Sequence, residues 1–315
     1  LEVDGGDLTG ITTLTNTGDV TIADGQTLAA ATIHNNTGGA VPAGVGSTLQ
    51  GTGNTLNNNA TLDVATNGAV TDAGAINNNA TGVIHFNGPG GSATLNAGGA
   101  GTGTITNAGE INVVSGNVSV GNDDVTTSNL IDVASGSNMS GLATLEQTAG
   151  DIQGGGTIDV IGGFTQSGGS TGGTVDINAA TFAQSGGATI GAGTTVTSSG
   201  AQTLSGGTIA GNLDGAGAVT VDTATTSLTG AGAITGATAI GIVAGGTLAS
   251  DGDGIADAAT VTNNGVFTLT GDETIGALQG GGTMNLTGAT LSTGVTNTST
   301  TFSGNASSTG GVIKQ

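Results

Sequence analysis

Cysteine is absent from the chain, so no disulfide framework holds it together and reducing conditions should not matter to its stability. Tryptophan and tyrosine are missing as well, which removes the usual aromatic anchors of sugar and peptide sites. The most restrictive shortage is of positive charge. Lysine and arginine together contribute one residue, Lys314, against 22 acids, for a formal net charge of −21 at pH 7. A nucleic-acid binder must supply cations to displace condensed counterions, so that class is excluded. Anionic membrane surfaces and phosphate ligands are disfavoured for the same reason. Such a balance suits a self-repelling, soluble surface in salty or calcium-containing surroundings.

Long apolar runs are lacking too. None approaches the roughly 18 residues of a membrane-spanning helix, so no transmembrane segment is expected. The opening Leu1-Glu2-Val3-Asp4 has neither a basic nor an apolar leader region, which fits a cytosolic chain or one already processed or trimmed. Proline occurs only 2 times, and the 65 glycines follow no Gly-X-Y period, so collagen is ruled out. Disorder is the other reading of so much glycine. Against it, 35% of residues are hydrophobic, only 7% are charged, and Val, Ile and Leu return at ordered positions.

What is abundant is repetition. The stretch Thr106-Asn107-Ala108-Gly109-Glu110-Ile111-Asn112-Val113 returns as Thr15-Asn16-Thr17-Gly18-Asp19-Val20-Thr21-Ile22 and as Thr262-Asn263-Asn264-Gly265-Val266-Phe267-Thr268-Leu269. Two Asn-Asn-Asn-Ala-Thr copies begin at Asn57 and Asn77, and a Gln-containing corner recurs at Gln147, Gln166 and Gln184. A period of 18–20 residues with short alternating strands marks a β-solenoid and not a helical or leucine-rich array. Each turn has room for three strands and three corners. Val, Ile and Leu should point inward and Thr, Ser and Asp outward. Asn and Gly should hold corners through positive φ, and stacked asparagines should bond from rung to rung. Phe164 and Phe182 should stack in adjacent rungs.

The expectation is therefore an all-β parallel β-helix (β-solenoid), one unit over 1–315 of about sixteen rungs, a fragment or repeat unit of a longer chain. Loop excursions are expected near 37–53 (around Pro42), 87–101 (around Pro89) and 121–141.

The Asn-Asn-Gly and Asn-Ala-Gly corners and the Gln-Ser-Gly-Gly rungs resemble bacterial autotransporter passengers and filamentous-haemagglutinin-like adhesins. The closing Phe302-Ser303-Gly304-Asn305 and Gly310-Gly311-Val312-Ile313-Lys314-Gln315 are similar to the opening of the passenger-associated repeat that precedes a membrane barrel. The resemblance implies a right-handed β-helix, export through the outer membrane, an extracellular or cell-surface location, and an adhesive or filamentous role. The implied partners are a host or neighbouring-cell surface, extracellular matrix, or copies of the chain itself.

Catalytic chemistry finds little to work with. His34 and His85 each follow an inward isoleucine and should face solvent. No GxSxG or P-loop pattern is present, and zinc is improbable without cysteine. Outward carboxylates on neighbouring rungs, such as Asp159 and Asp176, offer the pairing a glycosidase needs, without an aromatic platform beside them. One cluster points to a cofactor: Asp251, Asp253 and Asp257, in Asp251-Gly252-Asp253-Gly254-Ile255-Ala256-Asp257, have the close carboxylate spacing of a short Ca²⁺ loop, although the acidic ligand that closes an EF-hand loop is missing. An exposed acidic turn explains the same residues. Gly121-Asn122-Asp123-Asp124 is a weaker calcium candidate. No other cofactor is expected. The residues favour a non-enzymatic protein, and the resemblance implies a structural or adhesive one of the bacterial surface. A filament or matrix subunit stacking end to end is the alternative, followed by an ice-binding solenoid (from Thr-x-Thr pairs such as Thr104/Thr106) and a carbohydrate-active β-helix.

Overall fold

A computed structural model describes residues 1–16, 20–23, 27–35, 40–43, 48–71, 74–98 and 102–315. Among the described residues about 60% are in strands and none in a helix, and the parallel sheets stack as a β-solenoid of about 14 turns. The chain separates into two compact units, 1–163 with 174–177, and 164–173 with 178–315.

In the first unit one turn shows how the sequence makes a rung. Thr104–Asn107 forms the first face. Glu110–Ser119 supplies the next two by bending at Gly116, whose φ of 85° only glycine adopts freely. Asp124–Thr127 then lies on Thr104–Asn107, Leu130–Val133 on residues 110–113, and Asn138–Leu142 on 117–119, all parallel. Side chains alternate, so Ile111, Val113, Ile131 and Val133 are fully buried while Glu110, Asn112, Leu130 and Asp132 line the outside. The inward residues form columns, Leu62–Ile84–Ile111–Ile131–Ile152 and Val64–Phe86–Val113–Val133. The three-sided turn and the inward hydrophobics agree with the sequence pattern.

The repeating corner is built differently from the expectation of positive φ. Gly109 does not have one. A Cβ there would lie 2.1 Å from Gly82 O and 2.4 Å from Asn79 O, so glycine is required by the rung beneath it. The asparagine of the motif turns inward. Asn58 Nδ2 donates to Asn78 Oδ1 at 2.8 Å, Asn78 Nδ2 to Asn107 Oδ1 at 2.8 Å, and Asn107 Nδ2 to Thr127 Oγ1 at 3.1 Å. Each amide also donates to the carbonyl of the strand that follows the corner, Val83, Glu110 and Leu130 respectively. All four side chains are buried, where an unmet amide would cost more than the net worth of its bond. A second, outer contact joins Asn77 to Asn57 at 3.0 Å and Asn79 to Asn59 at 2.9 Å.

The second unit repeats the logic with longer amides. Gln184 Nε2 reaches Gln166 Oε1 at 3.1 Å, and both glutamines are buried. The rings of Phe164 and Phe182 stack with centroids 5.4 Å apart, as the 18-residue spacing implied. One column breaks the rule. Gln202 sits between Phe182 and Val219, 1% exposed, and its amide finds no hydrogen-bond partner among the described residues.

The expected excursions need correction. Pro42 lies within the strand Ala40–Ala43, opposite Asp63. That strand pairs with Thr61–Val64 along its whole length, and on its other side Ala43 pairs Ile22. The Pro89 excursion shrinks to a bulge in the strand Val83–Asn96. Asn87 pairs Ser115 and Ser92 pairs Asn117, leaving Gly88, Pro89, Gly90 and Gly91 opposite Gly116. Residues 121–141 form an ordinary rung, because outward Asp, Thr and Asn hide a regular Val125, Ile131, Val133 and Met139 core. Residues 36–39, 44–47 and 99–101 of the other expected loops lie outside the described residues, as does the corner at 17–19.

Two substitutions test this packing. Asn78→Ala removes the middle of the buried ladder and should lower stability by about 2–3 kcal/mol, read as a lower urea midpoint, whereas Asn77→Ala on the outer contact should cost less than about 1 kcal/mol. Gln202→Leu should raise stability by about 1 kcal/mol, seen as a higher thermal midpoint.

Candidate functional site

The outward faces carry the polar residues, and stacking decides their neighbours. Among the described residues the one ion pair is His85 with Asp63, Nδ1 to Oδ1 at 3.0 Å. Both head strands of the same phase, so parallel register sets His85 directly over Asp63 and under Asn112. Four other carboxylates take neutral side-chain donors from adjacent rungs. Thr144 Oγ1 donates to Asp124 at 2.6 Å, Asn138 Nδ2 to Asp159 at 3.1 Å, Gln153 Nε2 to Asp132 at 3.3 Å, and Thr235 Oγ1 to Asp214 at 3.2 Å. A chain almost without cations thus sets these acids against a hydroxyl or amide above or below them, since directly opposed like charges destabilise a sheet.

His85 was expected to face solvent and does so in part, with 37% of its side chain exposed. Its partner Asp63 was missed, although aligning Thr61-Leu62-Asp63-Val64 with Val83-Ile84-His85-Phe86 would have revealed it. The side chain of His34 lies outside the described residues. Around His85 the outer surface of the first unit opens into a cleft of about 410 Å³ lined by His85, Glu110, Asn112, Val114, Leu130 and Asp132, with Val113 and Ala134 at its base.

The calcium candidates are placed as follows. Asp251, Asp253 and Asp257 are all exposed. Asp251 Oδ2 accepts the Gly230 N–H at 2.7 Å, and Asp253, at φ 49°, donates its own N–H to Asp272 O at 2.9 Å. Among the described residues no three His, Asp or Glu side chains gather as metal ligands. Asp123, in the weaker candidate, is buried and accepts the N–H groups of Ala97 and Gly103, the latter at 2.7 Å. It fastens a loop. Asp176 donates its N–H to Gly156 O at 3.0 Å, which sets it beside Thr157 and not beside Asp159. At the Thr104/Thr106 pair no continuous threonine column forms, because Thr104 stacks between Ala75 and Asp124, and Thr126 between Thr106 and Glu146.

Beneath the acidic turn lies a residue that the sequence did not single out. Glu273 is 2% exposed. Its Oε2 accepts the Gly254 N–H at 3.0 Å and the Ser250 hydroxyl at 3.3 Å, and its Oε1 accepts the Thr274 N–H at 3.2 Å. Burial raises its pKa to about 7, against the lowering effect of those bonds. The chain signal was faint: a glutamate at an inward position of Glu273–Ile275, two before Ile275.

The geometry defines a β-solenoid with a buried amide ladder and an acidic exterior. Comparison with known proteins adds no relative: no family model, curated protein or solved structure matches the chain. No helix among the described residues is long and apolar enough to cross a membrane.

Glu273 generates a pH prediction. Its folded pKa lies above the unfolded value, so between these two values the folded chain holds a proton that the unfolded chain has released. Its contribution is therefore greatest below the ordinary carboxyl pKa of 4.5 and is lost as pH rises through about 7. The loss should amount to about 3 kcal/mol. Urea midpoints of the parent should fall from about pH 5 to about pH 8 more steeply than those of Glu273→Gln.

Proposed function

We propose that the chain is a non-enzymatic β-helical shaft displayed outside a bacterial cell, with a structural or adhesive role. The observation that carries this reading is the division of labour in the rung. Inward positions are spent on hydrophobic columns and buried amides, and outward positions on short Thr, Ser, Asn and Asp side chains satisfied by the rung above or below. Such a surface needs no partner to remain folded, and at a net charge of −21 it repels its own kind. The autotransporter-like closing residues support the same reading. They extend the stack, with Asn305–Ser308 on Thr283–Leu286 and Gly311–Lys314 on Thr290–Thr293.

A second reading is a subunit that adds copies of itself end to end. It is favoured by the exposure of Val312 and Ile313, 51% and 52%, on strands of ladder geometry. An antiserum raised against the chain should label intact, unpermeabilised cells of the source organism, and external protease should remove the label. Labelling only after lysis would overturn the surface assignment. Fibres from the purified chain in negative stain would favour the second reading.

A further inference from the structure

We propose that the cleft beside His85 binds a lysine side chain presented on a peptide. The lining has two chemistries side by side. Val114 is 50% exposed, large for a valine on a surface of hydroxyls and amides, and with Leu130 and Ala134 it offers an apolar track to a methylene stem. Glu110 and Asp132 stand next to this track on successive rungs, Glu110 opposite Leu130 and Asp132 opposite Asn112. The two are diagonal neighbours, about 7–8 Å apart at their Cβ atoms, but the Glu110 carboxylate leans to Asn112, which lies directly opposite Asp132, so one ammonium group with its three donors can sit between them.

Their present partners are weak competitors. Glu110 accepts only a long 3.5 Å contact from Asn112, and Asp132 a 3.3 Å bond from Gln153, both neutral amides. Asp63, by contrast, is engaged by His85. Charge complementarity selects the ligand: the described residues give these carboxylates no cation, and the chain's one lysine, Lys314, bonds the Gln315 carbonyl. The inference concerns a site and not a location, so its failure would leave the shaft reading untouched.

The test is a methyl-detected NMR titration of the whole chain with the blocked tripeptide acetyl-Gly-Lys-Gly-amide. Saturable shifts confined to Val113, Val114, Leu130 and Ala134 are expected. The same peptide with norleucine or acetyl-lysine in place of lysine should bind at least about tenfold more weakly. Glu110→Gln and Asp132→Asn, which preserve shape, should each weaken lysine binding by a similar factor, while Asp251→Asn on the other unit should not. Equal binding of the norleucine peptide would overturn the role of charge. Shifts scattered over all acidic faces, or binding unchanged in both cleft variants, would overturn the site. Calcium chloride producing the same confined shifts, with the peptide producing none, would reassign the cleft to a metal.

Discussion

Parallel stacking in register is the constraint on which everything else in this protein depends. Once one rung lies about 4.8 Å from the next, each side chain has a near-identical address above and below it. Whatever is placed at one position must tolerate that neighbour. Inside, tolerance means columns such as Leu62–Ile84–Ile111–Ile131. At the buried corner it means amides, because a side chain with both donor and acceptor can hand a bond upward and receive one from below, as Asn78 does between Asn58 and Asn107. A hydrophobe there would leave the following strand's carbonyl unmet, and a carboxylate would face its own copy.

The same constraint shapes the exterior. Repetition of an acid at one address would stack negative charge along a face, and the chain has no cations with which to interleave it. The sequence varies these addresses instead, so that Asp124 lies between Thr104 and Thr144 and Asp214 between Thr197 and Thr235. The irregularity that made 121–141 look like a loop is this variation. Its inward residues never lose phase, and the outward ones change because they must.

Glu273 and Gln202 are departures from that order. Glu273 takes an inward position and turns it into a clamp on the turn at 250–254, at the cost of burying an acid. Gln202 occupies a core address between two hydrophobes with no bond to offset its burial. No physical account of its retention emerges from its neighbours.

The sequence by itself determined the class of fold, the inward columns and the rung-to-rung asparagine bonds, because period-two alternation and a near-constant repeat are local and survive in one dimension. It also implied the Phe164–Phe182 stack from spacing alone. Only the tertiary structure decided register, and with it every pairing between rungs. The distance from Asn58 to Asn78 is 20 residues but from Asn78 to Asn107 it is 29, so a fixed period misaligns the faces beyond the Pro89 bulge. That is why the cleft over Glu110 and Asp132 and the clamp of Glu273 were invisible in the chain, whereas the His85–Asp63 pair, which lies before the bulge, needed only its two strands to be aligned. Asp251, Asp253 and Asp257, close in sequence, are all exposed, on a turn where both Gly252 and Asp253 take positive φ.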